Sequence, residues 1–357
     1  LRDVNRAPAA GRILAAGRDD RPGVARAPPA GVVSRYVRRA TIATTMSSPA
    51  PTPAPARIAV RPGSLDAWRI AIRTRTLWIA TVPVFVGTSL AYLARGEVDV
   101  LFASLALAAA ILLQAIANLQ NDVGYTARGG ENGTRVGLPR ATSAGLLTPR
   151  EVRLAIALAV AATVLLGLPI VGRWGAPALA MGLASMAAAL GYMGGPKPIA
   201  YTPLGELMVF VFFGLVAVAG SGYIQLGTVT PPLIAAGAAI GSLAAAVLVV
   251  NNHRDIAHDA GTGRRTFGVL FGARASARLY AVLMLAPFAA VPLLVWLTGS
   301  HLLWLPLLAL PGAVALVCAL PKTPPGLAFN GLLMRTVMAQ LIYGAMLTVG
   351  TLLAAWL

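Results

Sequence analysis

The sequence predicts an all-α, polytopic membrane protein of about nine spans, and three observations predict it. Hydrophobic residues make up 57% of the 357-residue chain and charged residues only 11%, against roughly 25% charged in a soluble domain. Apolar segments of spanning length follow one another from residue 77 to the C-terminus. Basic residues gather in alternate loops, the pattern of positive-inside bias. A chain this apolar cannot clothe a soluble surface, so its net charge of +17 reads as attraction to anionic lipid. Nucleic acid is excluded as a partner.

Residues 1–63 are rich in Ala, Arg and Pro, with Pro51, Pro53 and Pro55 in close succession, and read as a disordered basic tail. Within it, Met46 precedes Ser-Ser-Pro shortly before the first span, so 1–45 reads as an upstream extension of the reading frame. The other reading is a targeting peptide; against it stand Asp19, Asp20 and the lack of an apolar core. Residues 64–357 form the transmembrane domain. Ser64-Leu-Asp-Ala-Trp68 opens an interfacial helix carrying Arg69, Arg73 and Arg75. Apolar spans follow at 77–94, 99–120, 152–171, 175–194, 204–225, 231–250, 278–298, 302–320 and 334–356.

Loop charge sets the orientation. The loops after even-numbered spans hold Arg128, Arg135, Arg140 and Arg150; Lys197; Arg254, Arg264, Arg265 and Arg274; and Lys322. The opposite loops hold little beyond Arg95, Glu97, Asp99, Arg173 and His301. The N-terminus and the basic loops are therefore expected in the cytoplasm and the C-terminus outside, in the plasma (inner) membrane. The single Cys318 lies in an apolar run, which excludes a disulfide framework and marks it as a packing residue.

Two polar stretches stand out in a chain with only 12 acidic residues. The first is Asn118-Leu-Gln-Asn-Asp-Val-Gly-Tyr125, the second Asn251-Asn-His-Arg-Asp-Ile-Ala-His-Asp259. In each an Asn precedes an Asp by four residues, which places both side chains on one helix face. Ionisable groups at the membrane boundary are costly and mark function by default. Each stretch continues into glycines and arginines: Gly129, Gly130, Glu131, Arg135 and Arg140 after the first, Gly261, Gly263, Arg264 and Arg265 after the second. Carboxylate and amide oxygens are hard ligands suited to Mg²⁺. Glycine lets a backbone approach a ligand closely, and arginine binds phosphate bidentately. Together they describe a pocket for a metal-bound diphosphate whose apolar remainder lies among helices. A third loop, Gly194-Gly-Pro-Lys197-Pro-Ile-Ala-Tyr201-Thr-Pro-Leu-Gly-Glu206, adds a cation, a phenol and a carboxylate at the start of an apolar run.

These motifs resemble the 1,4-dihydroxy-2-naphthoate polyprenyltransferases of menaquinone biosynthesis, within the UbiA-type intramembrane aromatic prenyltransferases. The matching pieces are Asn-Asp-x-Gly with Gly-Gly-Glu and Arg-x-Gly-x-x-Arg; Gly-Pro-Lys-Pro with Tyr201 and Leu-Gly-Glu206; Val-Phe-Phe-Gly and Gly-Ser-Gly-Tyr-Ile-Gln; and Asn-Asn-x-Arg-Asp-x-x-x-Asp with Gly-Arg-Arg-Thr. The resemblance runs from Trp68 to the C-terminus. It implies nine helices around a central cavity, capped by the cytoplasmic loops, with Mg²⁺ as cofactor and a polyprenyl diphosphate and an aromatic acceptor as substrates. It further implies Asn118, Asp122, Asp255 and Asp259 as metal or diphosphate ligands, and Lys197, Arg135 and Arg264 as holders of the diphosphate. Asp122, Asp255, Asp259 and Lys197 are the expected catalytic set. Asn121, Tyr125, Glu131, Arg140, Tyr201, Glu206, Asn251 and Arg254 join the expected substrate site. One position departs from the resemblance: Tyr125 stands where such proteins carry Asp, and a phenol of reference pKa about 10 supplies no carboxylate at neutral pH. Either Asp122 and Glu131 together suffice, or the first metal site is weakened; the same change could instead signal a different acceptor or a non-catalytic paralogue.

Plainer readings compete. Asp122 and Asp255 taken singly could be solvated helix ends, and Arg254 and Arg274 topological charges. Tyr125 and Tyr201 could be interfacial anchors. Met334 and Met338 read as helix packing. His253 and His258 lack His-Glu-x-x-His spacing, so a zinc site is rejected and they read as loop polars or helpers. Gly261-Thr-Gly-Arg-Arg-Thr lacks the Gly-Lys-Ser/Thr of a phosphate loop. An ion-coupled transporter would place carboxylates at mid-membrane, whereas these cluster at one end.

Overall fold

The computed structural model describes residues 60–131, 137 and 140–357. The tail expected over 1–63 and Arg135 therefore lie outside the described residues, apart from 60–63. Those four already join the fold: Gly63 N donates to Leu146 O at 2.8 Å, and Val60 packs against the same buried cluster as Trp68. Helices are the only regular elements among the described residues, with no strand among them.

Ser64 caps the short helix α1 (Leu65–Ile72) by accepting from Ala67 N, and α1 ends at Arg73 in the left-handed region at φ 56°. A non-glycine residue there is uncommon. The Asn118 amide, donating to Ile72 O at 2.7 Å, holds this joint and satisfies an end carbonyl of α1. The spans then follow: α2 (Thr74–Arg95), α3 (Val100–Ala127), α4 (Pro149–Gly191), α5 (Gly205–Leu226), α6 (Pro231–Arg254), a short α7 (Ile256–Gly261), α8 (Phe267–Thr298), α9 (His301–Lys322) and α10 (Ala328–Trp356). Asp99 caps α3, and a reciprocal Thr148–Glu151 capping box with Pro149 at the first turn starts α4.

Among the described residues, eight of these elements are long and apolar enough to cross a membrane. At 43 residues α4 would reach about 65 Å if straight, twice a bilayer core. It is not straight. Gly175 takes φ 64°, ψ −141°, and Ile170 and Ala178 on either side of it both pack on Phe102 near the start of α3. Further along both arms, Val152, Ile156 and Leu190 pack with Ile116 and Leu119 near the other end of α3. The element is thus a hairpin of two crossings, which matches the expected spans 152–171 and 175–194.

The most deeply buried span is α6, and its composition explains why. Small residues (Ala235, Ala236, Gly237, Ala239, Gly241, Ala244, Ala245) let neighbours approach on every side. The closest approach is to α5. A side chain on Gly214 would meet Gly237 O and the Cα of Gly241. Gly214 sits inside a π-helical turn, Val211–Val216, within α5. Such turns often mark functional stretches, and this one lies in the Val-Phe-Phe-Gly motif.

At the end away from the Asp motifs, Asp99 pairs with Arg173 at 2.7 Å, and Gln225 exchanges hydrogen bonds with the Asp99 backbone. These contacts tie α3, α4 and α5 together. Two packing expectations fail: Cys318 is exposed, and Met338 is 48% exposed on the outer side of α10. Both face the apolar solvent of a bilayer, where burial inside the protein is not needed to hide an apolar side chain.

Candidate active site

Helix α3 runs on to Ala127, past the 99–120 limit that hydropathy gives, because Asn118, Asp122 and Tyr125 are buried against neighbours instead of solvated. Asp122 is 2% exposed. One carboxylate oxygen accepts from Ala141 N at 2.7 Å; the other accepts from Thr142 N at 2.9 Å and Thr142 Oγ1 at 2.6 Å. The first acidic residue therefore folds its own loop back onto the helix and sets Arg140 beside it. Asn118 looks the other way, toward Ile72 O, and its carbonyl oxygen accepts from Gln114.

Tyr125, fully buried, is the hinge of the site. Its hydroxyl lies 2.5 Å from His258 Nε2, which joins the first motif to the second. Its ring lies beneath the guanidinium of Arg140 at 5.0 Å and near that of Arg264 at 5.8 Å. Gly130 leaves room for the ring, since a Cβ there would strike it. Tyr125→Phe keeps the ring but removes the inter-loop hydrogen bond. A stability loss of about 1–3 kcal/mol is expected, with a fall in turnover of about tenfold as the loops lose register. Thermal unfolding and initial rates test this; unchanged values in both would refute the bridging role.

In the second motif, Asp255 ends α6 and is clasped by its neighbour: Arg254 Nε and Nη2 donate to the two carboxylate oxygens at 2.7 and 2.6 Å. Arg254 also donates to Asn251 Oδ1 and Asn330 Oδ1. Asp259, on α7 and fully buried, accepts from Arg264 Nη1 at 2.7 Å. Burial pushes its carboxyl above the usual carboxylate range, against the pull of Arg264. Arg264 donates twice more to Ala200 O, so it locks the third loop to the second. Arg128 performs the same service from α3, donating to Gly124 O, Met193 O and Gly195 O.

The third loop delivers Glu206 to the start of α5, where Asn252 Nδ2 donates to it at 2.9 Å. Tyr201 is half-buried beside Arg264 and Arg128. Lys197 stands exposed on the loop and makes no ion pair among the described residues. Glu131 lies 4.0 Å from Arg140 Nε.

Several buried polar atoms here have no hydrogen-bond partner among the described residues: Asn121 Oδ1, Asn252 Oδ1, Glu206 Oε2 and Asp259 Oδ2 among acceptors, and among donors Arg140 Nη1 and Arg140 Nε, the latter in an ion pair with Glu131 but not hydrogen-bonded. Buried polar groups are normally paired, so a cluster of open ones calls for a ligand. The open oxygens are hard donors of the kind Mg²⁺ takes, and Arg140 suits an anion. The residues thus fit a metal-bound polyanion. No three carboxylate or imidazole groups converge among the described residues. Spacing alone selected Asn118 and Asn251; the structure engages both elsewhere and leaves their neighbours Asn121 and Asn252 open. Asn252, Arg128 and Thr142 are contributors that the sequence reading left out of the site, and His258, read there as a loop polar or helper, is the bridge to Tyr125.

The profile of the UbiA prenyltransferase family matches residues 80–323. The chain is 35% identical over 303 residues to a 1,4-dihydroxy-2-naphthoate octaprenyltransferase of Escherichia coli, covering 82% of this chain and 96% of that one. It is 40% identical over 222 residues to a protein of the same name from Mycobacterium tuberculosis, covering 62% of this chain and 75% of that one. Among solved structures, a UbiA homologue from Archaeoglobus fulgidus bound to DMAPP and Mg²⁺ superimposes with a TM-score of 0.59 at 14% identity, covering 80% of this chain and 99% of that one. An apo UbiA homologue from Aeropyrum pernix gives 0.60 at 18% identity, covering 76% and 97%. At such identities the structural likeness speaks for the fold.

Proposed function

The chain belongs to the UbiA prenyltransferase family, and from that premise we propose that it transfers a polyprenyl group from a polyprenyl diphosphate to 1,4-dihydroxy-2-naphthoate, with loss of CO₂, in menaquinone biosynthesis. The observation that carries this reading is the joining of both Asp loops through Tyr125 and His258, with buried oxygens of Asp259, Glu206 and Asn252 that have no hydrogen-bond partner among the described residues. The Asp-loop end of the bundle faces the cytoplasm in this reading, and the protein sits in the plasma membrane.

Asp259, Asn121 and Glu206 would hold Mg²⁺ on the diphosphate through their open oxygens, while Asp122 fixes its loop through Ala141 and Thr142 and Asp255 is held by Arg254. When bound, the ion supplies Lewis-acid neutralisation of the leaving group. Arg140 places its open N–H groups where negative charge grows as the C1–O bond ionises, so that the diphosphate departs with the electron pair. Arg264 and Arg128 hold the three loops in one arrangement before substrate arrives, so no reorganisation is needed at that moment. The ring carbon of the acceptor then bonds to the allylic cation, and loss of CO₂ from that carbon restores aromaticity. The apolar helices exclude water from the cation.

The test is turnover of purified protein with a polyprenyl diphosphate and, in parallel, dihydroxynaphthoate, 4-hydroxybenzoate or homogentisate. Prenylated product with CO₂ release is expected only with dihydroxynaphthoate, abolished by EDTA and restored by Mg²⁺. Product from either other acceptor alone would overturn the acceptor assignment. Undiminished turnover in EDTA would overturn the metal.

A further inference from the structure

On the outer side of the bundle, α9 and α10 leave a groove of about 500 Å³ between them. Its walls include Leu308, Gly312 and Leu316 of α9 and Met338, Ile342 and Met346 of α10, of which Leu308, Met338 and Ile342 are exposed. A hollow of about 400 Å³ adjoins it, sharing Ala319 and Arg335 and adding Lys322. The two make one elongated depression, apolar along its length and cationic at one end.

Arg335 is the unusual member. It lies two turns into a spanning helix, roughly 10 Å from its start, and is exposed. Neither it nor Lys322 forms an ion pair among the described residues. Arg335 stands at the edge of the apolar segment 334–356, the level at which an exposed cation meets anionic headgroups. No Asp or Glu lines the depression, so the protein supplies no anionic partner and no metal ligand. The absence of carboxylates argues against a metal-bound diphosphate, and a second copy of this chain would bring the same cations. A single phosphate on an acyl chain matches the charge, the shape and the opening to the bilayer.

We propose that this depression is a binding site for an anionic phospholipid, its phosphate between Lys322 and Arg335 and one acyl chain in the groove. The mouth opens at the same end of the bundle as the Asp loops, since Asn330, next to the mouth residue Gly331, accepts from Arg254 Nη1 at 2.7 Å. Lipid headgroup and prenyl diphosphate would therefore meet the protein at one membrane face.

Native mass spectrometry of the delipidated full chain in neutral detergent, titrated with phosphatidylglycerol or phosphatidylcholine, tests the site. Phosphatidylglycerol is expected to bind more tightly than phosphatidylcholine. Lys322→Gln/Arg335→Gln should weaken phosphatidylglycerol binding about thirtyfold and erase the preference. Gly312→Leu keeps both cations, and its side chain enters open space, since nothing lies within 4 Å of a Cβ there. It should weaken both lipids by filling the groove. Phosphatidylglycerol binding unchanged in the charge variant or in Gly312→Leu would overturn the site. So would displacement of the lipid from the parent protein by geranyl diphosphate in EDTA, which would assign the groove to the prenyl donor.

Discussion

Asp259→Asn should lower turnover by about 10²- to 10³-fold, a loss of the size seen when one preorganised electrostatic contact to a reacting group is removed. It should also cost stability, about 3 kcal/mol, because the Arg264 guanidinium is left buried without its counter-charge. The two effects separate in the double variant Asp259→Asn/Arg264→Gln. Removing both charges relieves the unpaired cation, so the unfolding midpoint should recover toward that of the parent protein. Turnover should stay low, since the open oxygen, Asp259 Oδ2, is still missing. Recovery of turnover along with stability would mean that Asp259 acts only as the partner of Arg264, and its place in the metal site would be lost. Measurement of both quantities on the same preparations decides between these outcomes.

Gly214→Leu is expected to prevent the bundle from closing, at a cost above about 3 kcal/mol. Gly214 of α5 packs directly on the backbone of α6, and the contact is reciprocal: a Cβ on Gly241 would lie 3.0 Å from the Gly214 Cα. Repacking of flexible side chains cannot relieve it, because backbone atoms oppose backbone atoms. Loss of the monodisperse peak in size-exclusion chromatography, or a lowered midpoint in detergent denaturation, would register the effect. Gly182→Leu is the control, as nothing lies within 4 Å of a Cβ at that position on the exposed side of α4. If the two variants behave alike, α5 and α6 do not depend on this contact.

The spans and the two Asp motifs were legible because each is a local signal. A run of some twenty apolar residues has one cheap environment, and carboxylates are so scarce in this chain that their placement stands out. At the Asp motifs, the departure from expectation has a distant partner as its cause. The first polar stretch stays helical to Ala127 because Asp122 finds Ala141 and Thr142, some twenty residues on. The same holds for Tyr125. Read along the chain it was a lost carboxylate; in the fold it is the hydrogen-bonded bridge to His258, 133 residues away, and the floor beneath Arg140.

The sequence by itself determined the membrane class, the crossings, the family resemblance and the loops on which the chemistry falls. Composition and short-range spacing are read directly from the chain and need no knowledge of which helices meet. Only the tertiary structure decided which polar atoms are already paired and which remain open. Asn118 and Asn251 carry the same spacing signal, yet both are engaged by Ile72 and Arg254, while Asn121 and Asn252 present free oxygens. A hydrogen bond depends on where a partner from another helix arrives, and spacing along one helix carries no information about that arrival.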